Sequence, residues 1–171
     1  MPDRRDLVTA ARKGDKNAFG QLYAEIYTDL YKFAYYVLKN EEDAKDAVSD
    51  AVMDAYAGIS KLKSEDAFKS WMFQILSAKC KRKLKEYATH GHTAPLDDAA
   101  DVAVDGKEES IELKNAFDSL TDEERTIISM NVFGGYDSGE ISDILKMNRN
   151  TVRSKQSRAL SKLKSILGGG K

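Results

Sequence analysis

The chain is short of proline, cysteine and long apolar runs, and each lack excludes something. Pro2 and Pro95 are the only prolines, so long helices are permitted almost everywhere else. Cys80 is the only cysteine, which excludes an internal disulfide and a thiolate zinc cluster. No apolar stretch approaches the ~20 residues of a membrane span. The N-terminal stretch MPDRRDLVTAARKGDKNAF lacks the apolar segment of a secretory signal. A cytoplasmic protein without membrane insertion is the simplest expectation. Catalytic signatures are missing too: no Gly-rich phosphate loop, no nucleophile motif and no paired carboxylates at a recognisable spacing. The expectation is a non-enzyme without a cofactor. His90 and His92 form HGH with no companion ligand at metal spacing, which reads as surface histidine and not as a metal site.

Charge is present in quantity but unevenly placed. The formal net charge is −1. Residues 87–110 hold one Lys and six acidic side chains, whereas residues 146–171 hold eight basic side chains and no acidic one. A purely basic C-terminal segment on a near-neutral chain points to a local anionic partner.

Apolar spacing predicts an all-α protein. Phe19, Leu22, Tyr23, Ile26, Tyr27, Leu30, Phe33, Ala34, Val37 and Leu38 recur at helical steps. Asn40 supports a helix stop. Ala44, Ala47, Val48, Ala51, Val52, Ala55 and Tyr56 repeat the pattern with small residues, and Asp43, Asp46, Asp50 and Asp54 line the opposite face. After GISKLKSED, a third helix is expected to bury Phe68, Trp71, Met72, Ile75 and Leu76 before running into KCKRKLKE. A short extra helix is expected near residues 4–13. Residues 87–110 break the periodicity with small residues, Pro95 and a run of acids, and read as a flexible linker. Such a length between helices predicts two small helical domains, 1–86 and 111–171, joined by the linker.

The second domain has clear punctuation. Thr121 with Glu124 has capping-box form, as does Asp137 with Glu140. Gly134-Gly135 predicts a helix end. A short helix Ser138–Leu145, a turn, and a long helix capped by Asn148 and running to about Leu167 have the spacing of a helix-turn-helix. Ile141 and Leu145 are expected to pack on Val152, Ala159, Leu160 and Leu163. Arg149, Asn150, Arg153, Ser154 and Ser157 then point outward, where Arg can fork to guanine and Asn can pair with adenine. Lys155, Arg158, Lys162 and Lys164 suit phosphate contacts.

Three ordered stretches carry a family resemblance: GDKNAFGQLYAEIYTDLYKFAYYVLKNEEDAKDAVSDAVMDAYAGI, AFKSWMFQILSAKCKRKLKE and AFDSLTDEERTIISMNVFGGYDSGEISDILKMNRNTVRSKQSRALSKLKSIL. Together they resemble the bacterial RNA polymerase sigma factors of the extracytoplasmic-function (ECF) type. The resemblance implies a transcription initiation factor that brings core RNA polymerase to promoter DNA and helps melt it. It also implies residue roles. Asp43, Asp46, Ser49, Asp50, Met53 and Asp54 would form the core-polymerase face. Lys61, Lys63, Ser64 and Lys69 would belong to the base-capturing loop at the minus-ten element, with Phe73 open for base stacking and Trp71 in the core. Lys79, Lys81, Arg82, Lys83 and Lys85 would follow the freed strand's backbone. Arg149, Asn150, Arg153, Ser154, Ser157 and Arg158 would read the minus-thirty-five element. Asp97, Asp98, Asp101 and Asp105 would sit in an acidic connector that either mimics nucleic-acid charge or serves as a solubilising tether. An anti-sigma factor is a further possible partner. The family usually has Gly in the helix-turn-helix turn, where this chain has Lys146, and an apolar residue where it has Gln156. Two other readings fit parts of the sequence: a helix-turn-helix regulator that does not bind core, and a sigma-like decoy that binds a partner protein but no promoter.

Overall fold

The computed structural model describes residues 3–90 and 110–168; the acids at 97, 98, 101 and 105, and His92, lie outside them. Every regular element among the described residues is helical. In chain order they are α1 (Arg4–Arg12), α2 (Lys16–Leu38), α3 (Glu41–Gly58), α4 (Phe68–His90), α5 (Ser110–Asp118), α6 (Asp122–Val132), α7 (Ser138–Leu145) and α8 (Arg149–Leu167), with short 3-10 turns at Ile59–Lys61 and Glu65–Ala67.

Local chemistry sets these boundaries. Asp15 caps α2 by accepting from the Ala18 amide at 3.1 Å, and Asn40 caps α3 by accepting from the Asp43 amide at 2.8 Å. Each such cap satisfies a helix-end N–H that has no intrahelical partner, worth about 1 kcal/mol. α2 ends because Lys39 turns left-handed, at φ 62°, before Asn40 opens the next helix. Both capping boxes form, Thr121 with Glu124 and Asp137 with Glu140.

α1, α3 and α4 pack around α2. Leu22, Leu30, Phe33, Met72, Phe73 and Leu76 are fully buried between them. The small residues of α3, Ala44, Ala47, Ala51 and Ala55, are also buried and let the helix lie close to α2 and α4. α6, α7 and α8 form a second cluster around Ile127, Ile128, Met130, Ile141 and Val152.

The two clusters are packed together. α6 lies on α2, and α7 meets α4. In consequence the C-terminal half of α2 is buried all round: Tyr31, Tyr35 and Tyr36 are covered as well as Leu30, Phe33, Ala34, Val37 and Leu38. Tyr36 stacks on Phe133 with ring centroids 5.1 Å apart and meets Phe117 at 4.9 Å. At the centre of the contact is Arg125, only 3% exposed. Its guanidinium donates to the Val37 carbonyl at 3.1 Å, to the Leu120 carbonyl at 2.9 Å and to Asp122 at 2.5 Å. Val37 lies in the last turn of α2, where carbonyls lack intrahelical donors and the helix dipole is negative, so a cation is well placed there. Lys39 adds an ion pair to Asp118 at 3.4 Å.

Candidate nucleic-acid and polymerase interfaces

In the helix-turn-helix, Ile141, Val152 and Ala159 are fully buried and Leu163 nearly so. Leu160, expected in this core, is instead 46% exposed, because helical spacing puts it on the exposed face of α8 with Arg153 and Ser157. Ser142 clamps the turn: its hydroxyl donates to the Met147 carbonyl at 2.6 Å, and the Met147 amide donates back to the Ser142 carbonyl at 3.0 Å. Between them Lys146 is left-handed, with φ 58° and ψ 47°. A side chain in that region costs ~1–2 kcal/mol through the close approach of Cβ to the next carbonyl. Lys146→Gly should therefore stabilise the chain by about 0.5–1 kcal/mol after the extra backbone entropy of glycine is subtracted, read as a melting-temperature rise of ~1–4 °C. A fall in melting temperature would mean that the turn is not strained.

Asn148 then starts α8 by accepting from the Asn150 and Thr151 amides at 2.8 and 3.3 Å. The exposed face of α8 carries Arg149, Asn150, Arg153, Ser154, Ser157 and Arg158 together. A cleft between the start of α7 and α8 brings Arg149 and Arg153 beside Glu140 and Asp143. Of the four residues expected to meet phosphates, Arg158 and Lys164 are exposed, but Lys155 and Lys162 are committed to α6. Lys155 pairs with Glu123 at 2.9 Å and Lys162 with Glu124 at 2.7 Å. Burial by itself would raise the Glu124 carboxyl; the hydrogen bonds from Lys162 and the Thr121 amide outweigh it and hold its pKa below the ordinary range. Gln156 is half-buried.

In the other cluster, Lys61, Lys63 and Ser64 are exposed in the loop before α4, and the Ser64 hydroxyl accepts from the Asp66 amide at 3.2 Å. Phe73 is not open for stacking: it is 0% exposed. It meets Phe33 edge-on at 5.6 Å on one side and Tyr136, from the α6–α7 loop, at 5.8 Å on the other. Apolar periodicity placed Phe73 off the core stripe of α4; that side of the helix is covered by α2 and the second cluster. Lys69 is held at the same seam, 3.8 Å from Asp29 and 5.8 Å from the centre of the Tyr136 ring. Trp71 is half-buried against Phe68. Burial raises the Tyr136 phenol to about 12, so it stays neutral at physiological pH.

The basic residues of α4 divide into two groups. Lys81, Arg82 and Lys85 are exposed. Lys79 and Lys83 turn toward α3, where Lys79 pairs with Asp54 at 2.5 Å and Lys83 with Asp46 at 3.9 Å. On α3, Asp46, Ser49, Asp50, Met53 and Asp54 are exposed, Met53 at 67%. Asp43 departs from the expected outward stripe, being half-buried and accepting a hydrogen bond from the Tyr87 hydroxyl at the far end of α4. Burial and that carboxylate both raise the Tyr87 pKa, so its proton stays in place to be donated. A groove of about 590 Å³ between α4, α6 and α7 is floored by Leu84, Ile144, Leu145 and Met147, and it brings Lys81 and Lys85 of one cluster beside Lys146 of the other. Among the described residues no group of His, Cys, Asp or Glu could hold a metal ion, and no helix is long and apolar enough to cross a membrane.

An all-helical chain that exposes the start of a helix-turn-helix second helix, and sets a basic helix beside an acidic one, has the features of a DNA-binding transcription protein. Comparison with known proteins agrees. The Sigma-70 region 2 model matches residues 22–89 and the Sigma-70 region 4 model residues 110–163. The ECF RNA polymerase sigma factor SigM of Mycobacterium tuberculosis is 30% identical over 165 residues, covering 95% of this chain and 84% of that protein. The ECF RNA polymerase sigma factor SigW of Bacillus subtilis is 27% identical over 177 residues, covering 94% of each. Two solved structures share the fold with a TM-score of 0.73. One is CnrH in complex with the cytosolic domain of CnrY, 24% identical, covering 99% of this chain and 100% of that one. The other is the sigma factor RpoE in complex with the anti-sigma factor NepR from Bartonella quintana, 23% identical, covering 88% and 96%. The chain belongs to the ECF RNA polymerase sigma factors.

Proposed function

We propose that this chain is the promoter-recognition subunit of a bacterial RNA polymerase, acting in the cytoplasm, and that it carries no chemistry of its own. Core polymerase supplies the reaction. The α1–α4 unit docks on core through the exposed face of α3 and contacts the minus-ten element through the loop before α4 and the outer face of α4. The α5–α8 unit reads the minus-thirty-five element with α8. The observation that carries this reading is the exposed start of α8, where Arg149, Asn150 and Arg153 stand free of the Ile141–Val152 core that aims them. By analogy with the complex of RpoE and NepR, an anti-sigma protein regulates it.

The packed arrangement bears on how such a chain works. Elements named for positions −10 and −35 lie about 25 base pairs apart, ~85 Å of B-DNA. A compact chain of this length has a radius of gyration of ~15 Å. Reading both elements at once therefore requires the α2–α6 contact to part, which also uncovers Phe73 and Lys69.

Run-off transcription with purified core polymerase over a genomic fragment library tests the proposal. New start sites sharing two upstream elements are expected. Core binding without new transcripts would favour a decoy, and no core binding a simple DNA-binding regulator. With a promoter in hand, Arg153→Ala should cost about 1–3 kcal/mol at one base position if it reads guanine. A loss that is uniform across promoter variants would assign Arg153 to phosphate instead.

A further inference from the structure

Two groups of residues assigned above to different partners are bonded to each other. Three cross-links join α3 to α4: Tyr87 to Asp43, Lys83 to Asp46 at 3.9 Å, and Lys79 to Asp54 at 2.5 Å. They run in opposite order along the two helices, a ladder between the acidic face and the inner basic side of α4. We propose that this ladder keeps Lys79 and Lys83 from DNA in the free chain, and that core polymerase frees them by taking over Asp46 and Asp54. The inference rests on the docking of α3 on core proposed above.

The exposures of the paired groups support the order of events. The side chains of Lys79 and Lys83 are 16% and 21% exposed, whereas those of Asp54 and Asp46 are 58% and 71% exposed. The lysines are covered and the acids open, so a cationic surface reaches the acids first. Asp50 lies one helical turn from each of them, is exposed, and has no ion pair among the described residues. It can meet an incoming cation without first giving up a partner. Once Asp46 and Asp54 are engaged, Lys79 and Lys83 lose the acids that paired with them. Their flexible four-carbon stems can then swing toward phosphate. Lys79 and Lys83 are four residues apart on one helical face, so both are released on the same side of α4. Partly exposed ion pairs each shift an equilibrium by about 1.5- to 5-fold, so the device modulates binding and does not block it outright.

The test uses the free full-length chain and a mixed-sequence 20-nucleotide single strand, with binding read by fluorescence anisotropy across a salt series. Asp46→Asn with Asp54→Asn keeps side-chain shape and removes both pairs. It should bind about 2- to 20-fold more tightly. The slope of log affinity against log salt should steepen by ~1.4, for two added phosphate contacts at ~0.7 each. The same two changes on a Lys79→Gln, Lys83→Gln background should gain less than about 2-fold, a non-additivity that isolates the pairs from net charge. Equal gains on both backgrounds, or no gain on either, would overturn the ladder. Circular dichroism of each variant confirms that the helices are intact. Core affinity of the Asp46→Asn, Asp54→Asn variant is measured separately and is expected to fall. Unchanged core affinity would overturn the docking reading and core as the trigger, whereas a null result in the DNA series overturns the ladder alone.

Discussion

Arg125→Met should destabilise the chain by about 2–4 kcal/mol and loosen the contact between its two halves. The guanidinium is buried and donates to carbonyls on either side of the seam, Val37 in α2 and Leu120 before α6. Methionine fills much of the volume but donates nothing. Two buried carbonyls then lose a charged donor, each at about 1–3 kcal/mol when left unsatisfied, and the end of α2 loses a favourable cation. Part of the cost is recovered because a buried charge no longer has to be desolvated. Lysine is no equal replacement, since one ammonium cannot reproduce a planar fork aimed at separated acceptors. Urea unfolding gives the stability change, and small-angle scattering gives the radius of gyration, which should rise in Arg125→Met. An unfolding midpoint within error of the parent chain would remove Arg125 as the bridge.

Reversing Asp46 and Asp50 to Lys should weaken binding to core polymerase at least ~30-fold, about 2 kcal/mol. The face concerned is acidic and outward, with Met53 as an apolar neighbour. Placing two cations there inverts the charge that this face presents to core and the steering it gives during encounter. The fold should tolerate the change, because α3 is anchored by Ala44, Ala47, Val48, Ala51 and Ala55 on the other side. Equilibrium binding of labelled protein to core measures the effect, with circular dichroism as the control. Undiminished affinity would move the docking surface elsewhere.

Both variants act at places that differ in how visible they were before the structure. The acidic face of α3 follows from spacing along one helix, so its outward residues were readable. Asp43 was the exception, since its partner Tyr87 is far away in sequence. Arg125 gave no signal at all: in sequence it is one cation after an acidic capping box, with nothing to mark it as buried. Phe73 was misplaced for the same reason. Helical periodicity finds the face that packs within one unit, and Phe73 packs also against Tyr136 from the other. Tyr35 and Tyr36 lie off the α2 stripe yet are buried, because α2 is enclosed by neighbours from both units.

Asn40, read as a helix stop, instead caps α3, and α4 runs on to His90, into the stretch read as linker. The sequence alone determined the all-helical class, the caps at Thr121, Asp137 and Asn148, and the outward face of α8. Each depends on interactions within about one helical turn, between a side chain and backbone groups a few residues away. Only the tertiary structure decided which cations remain available. Lys79, Lys83, Lys155 and Lys162 look equivalent to Lys81, Arg82 and Arg158 in sequence, yet each of the first group is held by an acid on a neighbouring helix. That pairing depends on the register between helices, which is set by the burial of Ala47, Ala51, Met72 and Leu76 in one unit and Ile127, Ile128 and Val152 in the other. Apolar packing across the chain, acting over distances that no local pattern encodes, thus settles which charges can meet DNA.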